Sequence, residues 1–65
     1  MELRINGETK VFDEMSLFDI ITRMNLDPSR VAVELNGIII PRANFKDTSL
    51  SDGDSLEIVH FVGGG

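Results

Sequence analysis

No cysteine occurs in this chain. No disulfide can brace it, and no Cys cluster can hold zinc or an iron–sulfur centre. Basic residues are also scarce: six Lys and Arg stand against eleven Asp and Glu, for a formal charge of −5. That shortage argues against binding a nucleic acid backbone, where Lys and Arg must replace counterions, and against an anionic membrane surface. Net charge serves solubility, and it also suits a partner with a basic docking face. Long apolar runs are missing as well. The longest are far too short to span a bilayer, and no basic segment leading into an apolar one opens the chain as a secretory signal would. The expectation is a soluble, cytoplasmic protein. A Gly-rich phosphate loop is absent too, because the run Gly63-Gly64-Gly65 precedes no helix, and a phosphate cradle needs a strand–loop–helix context.

What the chain does contain is enough for one small domain. At 65 residues it buries only about 60% of the surface its unfolded form exposes. Without disulfides it needs a compact apolar core, which a hydrophobic content of 42% can supply. Met1, Leu3 and Ile5 alternate with Glu2 and Arg4, the pattern of a strand with one buried face. Asn6-Gly7 favours a tight hairpin turn. Glu8 to Phe12 reads as the return strand, with Val11 at the inward position. Ser16 suits a helix N-cap and Asp19 stands three residues on, resembling a capping box with Asp in place of Glu or Gln. Leu17, Ile20, Ile21 and Met24 then form one apolar stripe. Asn25 suits the end of the helix, and Pro28 blocks its continuation.

Val31, Val33 and Leu35 alternate with Ala32 and Glu34 as a third strand. Asn36-Gly37 gives a second hairpin, and Ile38-Ile39-Ile40 a short fourth strand closed by Pro41. Residues 43 to 54 read as a connection anchored by Phe45 and Leu50, with Asp52-Gly53-Asp54 as a turn. Ser55 to Val62 is the last strand, and it runs straight into the glycines. The order β-β-α-β-β-loop-β matches the β-grasp, or ubiquitin-like, fold: an α+β domain with one helix on a mixed sheet of about five strands. That fold sets the first and last strands side by side at the centre. Residues 1–62 are then the domain and residues 63–65 a flexible tail held by the best-buried strand.

Candidate sites can be weighed on this frame. In the last strand Leu56 and Ile58 share one parity and are assigned to the core. Val59 and Phe61 then face away from the helix. With Ala32 and one or more of the Ile38–Ile40 run, Ile39 being taken for partner docking, they form an exposed apolar patch. Cover by loops or long side chains such as Arg4 is the competing account of that face. His60, the one histidine, has no evident catalytic partner and reads as a partly exposed strand residue. Asp13-Glu14, Asp47, Asp52 and Asp54 lack metal-loop spacing and read as turn formers and solvated charges. No nucleophile, base, metal site or bound cofactor is expected, so the chain reads as a non-enzyme. Its reactive group would be the carboxylate of Gly65, presented on a backbone without Cβ atoms that can enter a passage too narrow for other residues.

The chain resembles the ThiS-type sulfur carrier proteins of thiamine biosynthesis. The resemblance is carried by the opening strand ending in Asn6-Gly7, the Val33-Glu34-Leu35-Asn36-Gly37 hairpin, Ile40-Pro41-Arg42, the Asp52-Gly53-Asp54 turn, and Leu56-Glu57-Ile58-Val59 leading to the glycines. It covers the whole chain. The family signature is a terminal Gly-Gly, and here Gly63 precedes it, loosening the tail. The resemblance implies that Gly65, with Gly64 beside it, is adenylated by an E1-like adenylyltransferase of the ThiF type that uses ATP and magnesium. A sulfur donor such as a cysteine desulfurase would then supply sulfur, leaving a thiocarboxylate for a ThiG-type thiazole synthase. Other readings within the fold are a MoaD-type carrier for molybdopterin and a ubiquitin-like modifier joined through Gly65 to lysine. The absence of prolines just before the glycines favours the thiamine branch. A reading of another class is a non-covalent interaction module whose glycines are incidental.

Overall fold

Two Asn-Gly pairs bend the chain back on itself. Asn6 (φ 52°) with Gly7 (φ 84°), and Asn36 (φ 50°) with Gly37 (φ 86°), all occupy the left-handed region, as a two-residue type I′ hairpin requires. In the computed structural model, which describes residues 1–13 and 16–62, the first pair joins β1 (Glu2–Ile5) to β2 (Glu8–Val11), and the second joins β3 (Val31–Leu35) to β4 (Ile38–Ile40). β5 (Ser55–His60) lies between the hairpins, parallel to β1 and antiparallel to β3. The sheet order is β2-β1-β5-β3-β4. The expected α+β architecture is present, with the last strand at the centre of a five-stranded mixed sheet.

α1 (Leu17–Arg23) begins where Ser16 Oγ accepts the amide N–H of Asp19 at 3.1 Å. It ends at Asn25, whose φ of 62° is left-handed. There the N–H of Asn25 donates to the Thr22 carbonyl at 3.0 Å and that of Leu26 to the Ile21 carbonyl at 3.1 Å. This is a Schellman closure, with Asn in the position glycine more often fills. A helix of seven residues is marginal alone, so its stability comes from packing. Leu17, Ile20 and Ile21 are fully buried and join Leu3, Ile5, Val31, Val33, Leu56 and Ile58 in one core cluster. Each buried aliphatic side chain contributes roughly 1.5–3 kcal/mol of transfer free energy. Met24 is only half-buried at the helix end. Phe45 and Leu50 close the core from the β4–β5 connection, as their sequence positions imply, and a 3₁₀ turn over Arg42–Asn44 leads into that connection.

Two expectations are corrected. Val11 is not an inward residue: it is 74% exposed, and Phe12, at 8%, is buried in its stead. The reason is register. Val11 pairs with Glu2, which lies on the outer face, while Leu3 and Ile5 face the helix. β2 therefore ends at Val11, and Phe12 turns in beyond it, held by paired bonds between its backbone and that of Met1 at 2.8 Å. The last strand ends at His60 and does not reach Val62. Its partner β3 begins at Val31, which pairs with His60, and the preceding Arg30 belongs to a 3₁₀ turn, so the ladder stops there.

Candidate docking face and tail root

The pleat of β5 sets the candidate site. Leu56 and Ile58 point to the core, so Glu57 and Val59 must point the other way. Pairing brings matching residues beside them. Val59 lies opposite Ala32, and Glu57 opposite Glu34, which in turn faces Ile39. Ile38 pairs with Leu35 and Ile40 with Val33, both on the core side. Only Ile39 of the isoleucine run therefore belongs to the outer face. Ala32, Val33, Glu34, Ile39, Glu57 and Val59 line a shallow depression of about 100 Å³. Val59 is 57% exposed, Phe61 54% and Ile39 73%. The three residues expected to dock a partner are thus open to solvent, and Val59 and Ile39 line the same depression. Phe61 continues the parity of Val59 two residues on.

The electrostatics of this face have a clear bias. Glu34 and Glu57 stand directly opposite one another across the antiparallel pair. Like charges so placed repel by roughly 0.2–1 kcal/mol. A cation brought by a partner would relieve that repulsion, and the aliphatic walls beside it would accept apolar contact.

Beside this face, both hairpin asparagines hold β5. Asn6 Oδ1 accepts the N–H of Ile58 at 2.8 Å, and Asn6 Nδ2 donates to the Ile58 carbonyl at 3.1 Å. The β1 ladder stops at Ile5, and the Asn6 amide takes the place of the next backbone unit. Asn36 Oδ1 accepts the N–H of Ser55 at 2.9 Å, and its Nδ2 donates to Asp54 Oδ1 at 3.0 Å. Sequence reasoning used these residues only as turn formers. A signal was available in the residue type: Asn carries a donor and an acceptor on one planar group, and glycine or aspartate at the same turn position would not. Asp52 also has a structural task, its Oδ1 accepting the N–H of Glu2 at 2.6 Å.

His60 is exposed and lies opposite Val31 on the core-side parity. Asp27 precedes the 3₁₀ turn Pro28–Arg30. Hydrogen bonds from the Ser29 hydroxyl and backbone hold its carboxyl below the usual range, with smaller contributions from Arg30 and His60. Among the described residues no group of three His, Cys, Asp or Glu side chains is placed to hold a metal ion. No helix there is long and apolar enough to cross a membrane. Glu14, and the proposed carrier residues Gly63, Gly64 and Gly65, lie outside the described residues.

Comparison with known proteins converges on one group. Residues 3–65 match the ThiS family. The chain is 37% identical to the sulfur carrier protein ThiS of Bacillus subtilis, over 97% of this chain and 98% of that one. It is 41% identical to a thiazole synthase of Paramagnetospirillum magneticum over all of its own length but only 20% of that protein's. A crystal structure of the thiamine biosynthesis protein ThiS from Geobacter metallireducens superposes with a TM-score of 0.83 at 32% identity, covering 100% of both chains.

Proposed function

The chain belongs to the ThiS family of sulfur carriers of thiamine biosynthesis, and we propose on that premise that Gly65 is where it carries sulfur. The protein is a carrier and not an enzyme, so its chemistry takes place in the active sites of others. A carboxylate is a poor electrophile, because it is anionic and oxide is a poor leaving group. An E1-like adenylyltransferase, using ATP and magnesium, joins the Gly65 carboxylate to AMP and releases pyrophosphate. Sulfur from a persulfide donor then attacks the acyl carbon and AMP departs. A thiol then attacks the donor-side sulfur of the resulting acyl disulfide, forming a new disulfide with the donor and releasing a thiocarboxylate, a nucleophilic sulfur at neutral pH. A thiazole synthase takes that sulfur. The work is expected in the cytoplasm.

The observation that carries this reading is that the family match runs to residue 65 and so includes all three glycines. The central position of β5 supports it, since the strand leading to the glycines is the middle one of five, held between β1 and β3. Pairing with thiazole synthase is supported by the Paramagnetospirillum protein, in which a segment like this chain forms a fifth of a thiazole synthase. The outer face of Ile39, Val59 and Phe61, with Glu34 and Glu57, is the surface we assign to docking the activating enzyme, which would meet it with apolar and basic residues.

The test is the intact mass of the protein after incubation with ATP, magnesium, a sulfur donor and an E1-like enzyme. A shift equal to one oxygen replaced by sulfur, mapped to Gly65, is the expected result. No shift under conditions that charge a known carrier would refute it, and addition of a whole second protein would establish a modifier. Gly64→Trp is expected to abolish charging, because the indole blocks entry to a narrow channel, while the circular dichroism spectrum stays that of the wild type.

A further inference from the structure

The N–H of Phe61 donates to the Arg30 carbonyl at 2.7 Å. Among the described residues it makes the last backbone hydrogen bond before the glycines. Whatever fixes the Arg30 carbonyl therefore fixes the root of the tail. Arg30 ends the 3₁₀ turn Pro28–Arg30. Asp27 secures the front of that turn, its Oδ1 accepting the Ser29 N–H at 2.9 Å and hydroxyl at 2.7 Å. The other side is held from a distant part of the chain. Arg42 Nε donates to the Pro28 carbonyl at 3.0 Å, and Arg42 Nη2 donates to the Val31 carbonyl at 3.3 Å. Pro28 and Val31 stand on either side of Arg30, so one guanidinium spans the carbonyl that receives Phe61.

We propose that Arg42 is a positioning residue for sulfur loading: by gripping Pro28 and Val31 it sets the Arg30 carbonyl, and through it the point where the tail leaves the sheet. The proposal rests on the reading of the chain as a carrier whose tail enters another protein's active site. Loading needs the terminal carboxylate delivered in a narrow range of positions, and a displacement of about 1 Å at a reacting centre costs up to about a hundredfold in rate. A planar fork reaches two carbonyls at once, which an ammonium on a flexible stem does not do with the same geometry. Arg42 is exposed, so its loss leaves the core untouched. Only Pro41 separates it from β4, which ties the tail root to the strand that bears Ile39.

The experiment compares Arg42→Ala and Arg42→Lys with the wild type, reading amide hydrogen exchange by NMR and, separately, adenylation kinetics with an E1-like enzyme, ATP and magnesium. The Phe61 amide is expected to exchange about tenfold faster in Arg42→Ala, as loss of charged hydrogen bonds implies, with Arg42→Lys in between. The Ile58 amide, held by Asn6, is expected to stay unchanged and serves as the control for folding. Adenylation kcat is expected to fall about five- to tenfold in Arg42→Ala with KM nearly constant, because the docking face is intact. Unchanged Phe61 exchange, or equal acceleration at Ile58, would overturn the anchoring role. Faster Phe61 exchange with unaltered kcat would overturn the role in loading. Failure of the wild type itself to be adenylated would sink the carrier reading and with it the loading role, while the exchange rates would still decide the anchor.

Discussion

On one side of β5, Leu56 and Ile58 are buried among the residues of α1 and the neighbouring strands; on the other Val59, and just past the strand's end Phe61, are more than half exposed. All are apolar, and all lie within six consecutive residues. Composition alone does not separate them. Parity does, because successive side chains of a strand leave opposite faces. The inner face stabilises the domain, and the outer face leaves apolar surface in solvent. A small domain with one helix has cover for one side of its sheet, so the other side is left exposed.

The largest expected effect breaks the inner face. Leu56→Ala removes a fully buried side chain and is expected to lower the unfolding free energy by roughly 2–5 kcal/mol, read by urea denaturation. Val59→Ala on the same strand is expected to change it by less than about 0.5 kcal/mol. Comparable losses from the two variants would show that the outer face is covered after all.

The next effect breaks the outer face. Phe61→Asp is expected to weaken binding to the activating enzyme by about ten- to a hundredfold in calorimetry, because it sets a charge in the middle of an apolar contact. Thermal stability is expected to hold. Wild-type affinity for the variant would show that docking lies elsewhere on the chain.

A third test separates turn from clamp. Asn6→Gly keeps a residue suited to the left-handed turn but deletes the amide that grips Ile58. The expected cost is about 1–3 kcal/mol, since a part-buried N–H and carbonyl lose their partners. An unchanged midpoint would mean that the turn alone accounts for Asn6.

The smallest effect sharpens the comparison. Glu57→Lys replaces the repelling pair with Glu34 by an attractive one and is expected to raise stability by a few tenths of a kcal/mol. It is also expected to slow association with a basic partner surface, most clearly at low salt in stopped-flow measurements. Faster association would reverse the sign assigned to the partner.

Some elements of this molecule were legible residue by residue. The two hairpins follow from Asn6-Gly7 and Asn36-Gly37, whose preference for positive φ acts within the dipeptide itself. The start of α1 follows from Ser16 and its end from Asn25, whose bonds reach no further than neighbouring turns. The split of β5 into Leu56 and Ile58 inside, Val59 outside, follows from a period of two. Phe45 and Leu50 stood out as apolar residues in an otherwise polar connection. Each of these signals is written over a few consecutive residues, so the chain determined them by itself.

The tertiary structure decided what depends on distant partners. Val11 looked inward because it is apolar, but pairing with Glu2 turned it outward and gave its place to Phe12. The end of β5 at His60 was set by where β3 begins. Of three isoleucines, pairing with β3 assigned Ile39 alone to the outer face. Asn6, Asn36 and Arg42 became clamps because the groups they grip come from other elements of the fold. Side-chain type states which bonds a residue is able to make, whereas register and packing determine which groups come within reach to make them.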